Sequence, residues 1–452
     1  MFKKILIANR GEVAVRIIRA CREMAIPTVA VYSEADADSY HSVLATESYC
    51  IGPNESAKSY LNIQAIIATA LTCGADAIHP GYGFLAERAD FADICKAHNI
   101  CFIGPSGDVI RKMGDKSQAR ATMIANGIPV TPGTGIIENI EEAKEFCAKA
   151  GYPVIVKASA GGGGKGMRIV NSEDELEENI TLCKAEAESF FGNSDVYIEK
   201  YLVKPRHIEV QILADKFGNV VHLGERDCSI QRRHQKLVEE TPSPAVSPEL
   251  REKLTKTAVE VAKVVGYEGV GTIEFLLDKD NNFYFMEMNT RLQVEHGISE
   301  MISNVDIVQE QIKIAAGEPL SVRQEYIHLN GHSIECRINA EDPDNNFMPC
   351  AGTIKGYIAP GGLGIRVDSH VYADYQIPPY YDSLISKVIC WAPTRKQAIR
   401  RMYRALKEYA ISGVKTTLPF YQRLIEDPVF ISGKFDTGFI EDFNERNLQT
   451  KV

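Results

Sequence analysis

Between Gly271 and His296 the chain gathers Glu274, Glu287, Asn289, Arg291, Gln293 and Glu295 within two apolar runs and the loop that follows them. Thr272 to Leu277 and Phe283 to Met288 are β-branched, aromatic and aliphatic, and the polar Asp278 to Asn282 between them predicts a hairpin. Asp280-Asn281 is the expected two-residue turn, since both residue types tolerate positive φ. Antiparallel pairing then sets Glu274 across from Glu287, with Asn289 on the same face. Facing carboxylates repel unless a cation lies between them, and Mg²⁺ (or Mn²⁺) favours such hard oxygen ligands. A hairpin whose acidic face simply meets water is the alternative. The next residues, Arg291, Gln293, Glu295 and His296, are too polar for a core and too irregular for a surface helix. They predict an anion held by Arg291 beside the metal, with Glu295 as a nearby base.

Other chemistry-bearing stretches lie upstream. Lys157 closes a predicted strand and opens a glycine run, Gly161 to Gly164, with Lys165 beyond it. Strand, glycine loop and returning strand predict a flap whose amides cradle phosphates, although no G-K-[ST] opens a helix as in a P-loop. A flexible linker is the bland reading. The run from Arg226 to Glu240 carries Arg232, Arg233, His234, Lys236, Glu239 and Glu240 and reads as a charged loop lining a cleft, with Lys236 as a cation for an anionic substrate. Tyr82 and Gly83 belong to a turn at the C-terminal end of a predicted parallel strand, where α/β sheets collect ligands.

A chain of 452 residues with 45% hydrophobic content is long enough for two or three domains. The net charge of −10, without a basic tract, argues against nucleic acid. No apolar run approaches the ~20 residues of a membrane span, and the N-terminus enters a strand without a signal peptide, so a cytoplasmic protein is expected. The 11 cysteines lack C-x-x-C spacing, which speaks against zinc and for reduced thiols.

The elements that must position these groups begin with a βα unit, strand Lys4 to Ala8 and helix Val13 to Met24. Thr28 to Tyr32, Ala75 to His79 and Ile100 to Ile103 continue as strands, alternating with helices Leu61 to Leu71 and Phe91 to His98, which predicts a doubly wound parallel sheet. Without G-x-G-x-x-G after the first strand, a nicotinamide enzyme is disfavoured. From Ile128 prolines and glycines mark a boundary. Helix Glu141 to Ala150, strand Tyr152 to Lys157, a helix capped by Ser172 and running to Glu188, and strands Asp195 to Tyr201 and Arg206 to Leu213 follow. Asp306 to Ala316 is a helix. Ser333 to Asn339 alternates, with Glu335 and Arg337 on a polar face read either as an exposed edge or as a pocket wall. Arg395 to Ala410 reads as the closing helix.

Taken in order, KILIANRGEVAVRIIRACRE, IHPGYGFLAE, FIGPS, VIVKASAGGGGKGM, IEKYL, RHIEVQ, ERDCSIQRRHQKLVEETPS, GTIEF, FMEMNTRLQVEH, RINAED and YDSLISK make the chain resemble the biotin carboxylase subunits of biotin-dependent carboxylases along essentially its whole length. The resemblance implies an α/β (α+β) fold: an N-terminal doubly wound domain (1–112), a central ATP-grasp domain (113–330) with a mobile lid over about 131–201, and a C-terminal β-rich domain (331–452). It implies that ATP with Mg²⁺ phosphorylates bicarbonate to carboxyphosphate, whose breakdown supplies CO₂ to biotin. Lys116, Lys157 and Gly162, Gly163 and Gly164 would hold the phosphates. The adenine would lie against Glu199, Lys200 and Leu202, with His207 near the ribose and His234 also at the nucleotide. Glu274, Glu287 and Asn289 would bind metal. Lys236, Arg291 and the backbone of Gln293 and Val294 would hold bicarbonate, with Glu295 as base; Tyr82, Gly83 and Arg337 would meet biotin, Arg337 stabilising its enolate oxygen. Cys350-Ala351 and Arg88 depart from the family pattern. The biotin-bearing Met-Lys-Met stretch is missing before Val452, so a separate biotin carboxyl carrier protein is expected, with carboxyltransferase subunits and a homodimeric assembly as further partners. Arg19 and Glu23 are read as part of a dimer contact or as an i,i+4 surface pair. Acetyl-CoA carboxylase, hence malonyl-CoA and fatty acid synthesis, is the default system, with pyruvate or propionyl-CoA carboxylase as alternatives. Rivals are another ATP-grasp carboxylate–amine ligase and an inactive nucleotide-binding regulator.

Overall fold

The computed structural model describes residues 1–159 and 166–449. Its N-terminal sheet is parallel, with strands β1 (Ile5–Ile7), β2 (Thr28–Tyr32), β3 (Glu47–Cys50), β4 (Ala77–His79) and β5 (Cys101–Phe102) in the order β3-β2-β1-β4-β5. The outer strand β3 is an addition to the sequence reading. At the sheet edge its residues alternate between half-buried and exposed and carry no apolar run to mark a strand. Apolar side chains of β1 and of the helix Gly11–Glu23 pack against Leu213, Val270 and Ile312 from the following region.

A four-stranded antiparallel sheet follows, β6 (Gly133–Ile136), β7 (Val154–Ala158), β8 (Met167–Val170) and β9 (Val196–Lys200), ordered β6-β9-β7-β8. The helix beside it starts at Leu176, after a short 3₁₀ turn at Glu173–Glu175. Ser172 makes no side-chain cap hydrogen bond, contrary to expectation: the Glu175 N–H donates to the Ser172 carbonyl at 3.3 Å and closes the 3₁₀ turn, and the Glu175 carboxylate accepts from the Asn171 N–H at 3.0 Å.

The largest sheet is antiparallel and eight-stranded, and it spans the rest of the molecule. It contains β10 (Arg206–Ala214), β11 (Val220–Arg232), β12 (Gln235–Thr241), β13 (Gly269–Leu277), β14 (Phe283–Asn289), β15 (His332–Asn339) and the strands Leu384–Ala392 and Ile365–Ser369. The order is β14-β13-β10-β11-β12-β15, then Leu384–Ala392 and Ile365–Ser369. The stretch from Arg226 to Glu240 is therefore a hairpin and not a loop. Arg233 and His234 form its tip, with φ of 50° and 65°, the backbone of a type I′ connection whose twist suits paired strands.

One face of this sheet is apolar. Ile208, Val210 and Ile212 pack with Ile273 and Phe275 in one core, and Ile334, Cys336 and Ile338 pack with Val388 and Cys390 in another. Because side chains alternate, the opposite face carries Glu209, Gln211, Glu274, Glu335, Arg337 and Lys387. That face is covered: Glu209, Glu335 and Lys387 are each 0% exposed. β15 is thus an interior strand whose polar side forms a wall, and the reading of it as an exposed edge is corrected. The chain also continues beyond the helix Arg395–Glu408 through three further helices ending with Phe439–Gln449. No described helix is long and apolar enough to cross a membrane, and all 11 cysteines are free thiols. Glu23 accepts from the Gln309 side chain at 2.8 Å, and no ion pair joins it to Arg19 among the described residues.

Candidate active site

The β13–β14 hairpin reaches its register by a different route from the expected turn. Asp278 accepts from the N–H groups of Asp280 and Asn282, both at 2.9 Å, so the connection is a loop over 278–282 in which only Asn281 takes positive φ (64°). A short acidic side chain that bonds its own downstream amides outcompetes the two-residue turn. The longer loop pairs Phe275 with Phe285, and a bulge leaving Met286 as the extra residue then sets Glu274 opposite Glu287 and Thr272 opposite Asn289.

Across the other side of β13, Glu274 lies directly opposite Glu209 of β10, and Glu209 opposite Arg226 of β11. Two carboxylates facing each other in the interior are tolerable only with a cation between them. Lys236 of β12 supplies it: its ammonium donates to Glu209 at 2.5 Å, Glu274 at 2.8 Å and Glu295 at 2.7 Å. The Arg226 guanidinium pairs with Glu209 and extends to Gln211, Ser299 and Thr272. Arg337 closes the network, donating to Glu239 at 2.7 Å and to Glu295 at 2.9 Å. Burial works against every one of these charges. For Lys236 the surrounding carboxylates Glu209, Glu274 and Glu295 win and hold its pKa well above the ordinary lysine value. For Glu295, Lys236, Arg337 and Arg226 win and hold its carboxyl well below the usual range.

Around this centre the predicted residues divide. His207 bonds Glu274 at 2.8 Å, Asn289 donates to Glu274 at 2.9 Å and Gln293 to the same oxygen at 3.3 Å. Arg291 donates to Gln293 at 2.9 Å and to Asn289 at 3.2 Å, while Glu87 binds its Nε at 2.9 Å. Lys236 and Arg291 therefore face one pocket. Lys116 lies 3.6 Å from Glu287. Lys157 donates to Glu199 at 2.5 Å, which also accepts from Arg120 at 3.0 Å. Lys200 turns its ammonium back to the carbonyls of Gly151 and Tyr152, at 3.0 and 3.2 Å. His234 is exposed at the tip of the β11–β12 hairpin. Tyr82 donates to Glu12, and neighbouring Gly83 has φ of 68° with open space where a Cβ would stand. Gly162, Gly163, Gly164 and Lys165 lie outside the described residues.

Sequence reasoning passed over Glu209 and Glu87, and it placed Arg226, Glu239 and Glu335 only in a charged run or on a polar strand face, without a role in this network. The pair Glu209–Arg226 carries no solvent-exposed surface, so removing the guanidinium leaves one buried Glu209 oxygen without its partner while the other stays on Lys236. Arg226→Met is expected to cost about 3–5 kcal/mol, read as a fall in the urea midpoint. The double variant Arg226→Met/Glu209→Leu should recover most of it, and a single variant as stable as the parent contradicts the role. Glu335 faces Glu239 directly across β12–β15, and neither of its oxygens has a hydrogen-bond partner among the described residues. Burial raises its pKa well above 4.5, Lys387 opposing and Glu239 reinforcing. A carboxyl with a raised folded pKa supports the fold fully below its unfolded value and loses that support as pH climbs through the folded value. Glu335→Gln should therefore raise the melting temperature more at pH 9 than at pH 5; equal shifts at both would contradict a neutral Glu335.

The oxygens of Glu274, Glu287 and Asn289 are hard donors on adjacent positions of one hairpin. Each carboxylate already faces an ammonium, Lys236 or Lys116. That donor chemistry fits Mg²⁺ accompanied by phosphate oxygens and suits neither zinc nor a soft metal.

Known proteins share both the sequence and the fold. Residues 1–110 match the biotin carboxylase N-terminal domain, 115–323 the ATP-binding domain of carbamoyl-phosphate synthase L chain, and 335–442 the biotin carboxylase C-terminal domain. The chain is 58% identical over 445 residues to biotin carboxylase of Nostoc sp., covering 98% of this chain and 100% of that one. It is 57% identical to biotin carboxylase 1 of Bacillus subtilis, covering 98% and 99%. A pyruvate carboxylase subunit from Methanothermobacter thermautotrophicus is 53% identical, with 98% and 90% covered. The crystal structure of a biotin carboxylase–ATP complex from Campylobacter jejuni superposes with a TM-score of 0.95 at 52% identity, covering 98% and 99%. The biotin carboxylase domain dimer of Hydrogenobacter thermophilus 2-oxoglutarate carboxylase, in complex with MgADP, ADP and bicarbonate, gives 0.94 at 53% identity, covering 98% of each chain.

Proposed function

The chain belongs to the biotin carboxylase family, an ATP-dependent ligase that carboxylates biotin, and from that premise we propose how its residues divide the work. The observation that carries the assignment is the single ammonium of Lys236 bridging Glu209, Glu274 and Glu295, with Arg337 on the other oxygen of Glu295. It joins a carboxylate of the metal-binding hairpin to a base and to an arginine within one pocket.

Lys116 and Lys157, with the Gly162 to Gly164 loop, hold the ATP phosphates; the segment Glu199 to Leu202 and His207 border the nucleoside, and His234 joins them from its hairpin tip. Glu274, Glu287 and Asn289 hold Mg²⁺, which neutralises phosphate charge. Arg291, Lys236 and the backbone of Gln293 and Val294 hold bicarbonate. Glu295 removes its proton so that a carbonate oxygen attacks the γ-phosphorus and ADP leaves, giving carboxyphosphate. In the unliganded site Glu295 is locked between Lys236 and Arg337 and is a weak base. A bound bicarbonate anion draws both cations toward itself and so restores basicity at the moment it is needed. Carboxyphosphate breaks its C–O bond to CO₂ and phosphate, phosphate accepts the ureido proton of biotin, and Arg337 stabilises the enolate oxygen that forms. Tyr82 and Gly83 border the biotin.

The domains are 1–112, 113–330 with a lid over about 131–201, and 331–452, and the enzyme works as a cytoplasmic homodimer. The dimeric state of the Hydrogenobacter relative and the free cysteines support that reading. The biotin arrives on a separate carrier protein. The half-reaction is assigned to an acetyl-CoA carboxylase system, with pyruvate or propionyl-CoA as the alternative acceptor, and 53% identity to a pyruvate carboxylase subunit favours pyruvate of those two. ATP cleavage that requires bicarbonate and rises with free biotin is the expected result. Cleavage indifferent to bicarbonate, or driven by an amine and a carboxylic acid, would refute it. The acceptor follows from which biotinylated protein and carboxyltransferase co-purify.

A further inference from the structure

Lys387 is fully buried, on the strand beyond β15 and directly opposite Arg337. An ammonium held away from water needs a reason, and an ion pair alone does not supply it here: Glu12 is 3.5 Å away and Asp368 3.8 Å. Its shortest contact is to the Val294 carbonyl, at 2.6 Å. In a planar trans peptide the carbonyl and the next N–H point in opposite directions, so anchoring that oxygen aims the Glu295 N–H away from Lys387. The preceding peptide is fixed in the same manner, since the Gln293 carbonyl accepts from His296 Nδ1 at 2.8 Å and from the His296 N–H at 3.3 Å. The Val294 N–H is thereby turned away from His296. Neither the Val294 nor the Glu295 N–H donates to a protein acceptor among the described residues. Two successive amides held open by buried anchors form a concavity suited to a small anion.

Lys387 also reaches the other half of the pocket. Glu12 opens the first helix, is buried, and accepts from the Tyr82 hydroxyl while its carboxylate faces Lys387. A continuous chain therefore runs from Tyr82 through Glu12 and Lys387 to the Val294 carbonyl.

We propose that Lys387 is a positioning residue that sets the Val294–Glu295 peptide for bicarbonate and, through Glu12, ties its placement to Tyr82 on the biotin side. This rests on the reading of Arg291 to Glu295 as the bicarbonate site. The two are separable by comparing Lys387→Met and Arg291→Ala in bicarbonate-dependent ATP cleavage, with nucleotide affinity measured in parallel. Lys387→Met should raise the bicarbonate KM about tenfold or more, leaving nucleotide Kd within about twofold and kcat at saturating bicarbonate less affected, the split that lost ground-state binding produces. A Lys387→Met enzyme with parental bicarbonate KM, beside an Arg291→Ala enzyme whose KM has risen, overturns the role of Lys387 alone. Parental KM in both overturns the bicarbonate site itself. Glu12→Gln, which keeps its shape and removes the charge facing Lys387, decides the matter should Lys387→Met fail to fold: bicarbonate and biotin KM should rise together, and parental values for both reject the coupling.

Discussion

Arg337→Ala is expected to abolish carboxybiotin formation while bicarbonate-dependent ATP cleavage continues. The guanidinium touches no phosphate-binding residue; it donates to Glu239 at 2.7 Å and to Glu295 at 2.9 Å. As the donor to a developing enolate oxygen it should be worth about 3–4 kcal/mol, or about 10²–10³ in the carboxylation rate. The structure adds a second effect. Arg337 is one of the cations that keep Glu295 ionised and weakly basic, so its removal strengthens the base and leaves bicarbonate activation intact or faster. Labelled carboxybiotin and phosphate release, measured on the same samples, separate the two steps. An equal loss in both would place Arg337 in the first step instead.

The second large effect is expected at the base. Glu295→Gln keeps the shape of the side chain and its ability to accept from Lys236 and Arg337, and removes only the charge that takes a proton. Bicarbonate-dependent turnover should fall by about 10²–10⁴, the usual contribution of a positioned base. Nucleotide affinity should change little, because the phosphates are assigned to Lys116 and Lys157, and neither contacts Glu295. Normal turnover with carbon dioxide transfer intact would remove Glu295 from this role.

Much of this pocket was legible in the sequence. Period-two alternation located both strands of the β13–β14 hairpin, and the opposition of Glu274 and Glu287 followed from it, although the chain arrives there through an Asp278 loop and a bulge at Met286 instead of a tight turn. A longer loop and an inserted residue cancel in register, which no propensity argument anticipates. Lys236 was recognised as a cation but assigned to a loop. The residues 226–240 are dense in charge, and charge in an alternating strand looks like solvent exposure until another layer covers it.

The same reason hid the burial of Glu209, Arg226, Glu335 and Lys387. Each stands at an ordinary polar position of an alternating strand, and only the antiparallel eight-stranded order brings them side by side beneath helices. Clean alternation in RHIEVQILA does place His207, Glu209 and Gln211 on one face. Counting how many strands carry such a face would have indicated a buried polar layer, since four half-solvated strands in one domain leave little to cover the core. Lys387 was the least visible, being a lone lysine whose partner is a backbone carbonyl 93 residues away.

The central claim is that bicarbonate, gripped by Lys236 and Arg291 beside the hairpin carboxylates, is the group that attacks the terminal phosphorus of ATP. Oxygen-18-labelled bicarbonate tests it directly, with the released phosphate analysed by mass spectrometry. The bridging oxygen of carboxyphosphate stays on phosphorus when the C–O bond breaks, so each phosphate formed in the bicarbonate-dependent reaction should carry one labelled oxygen. Phosphate free of label in ordinary water, and labelled only when the solvent is, would mean that water is the nucleophile and would contradict the account.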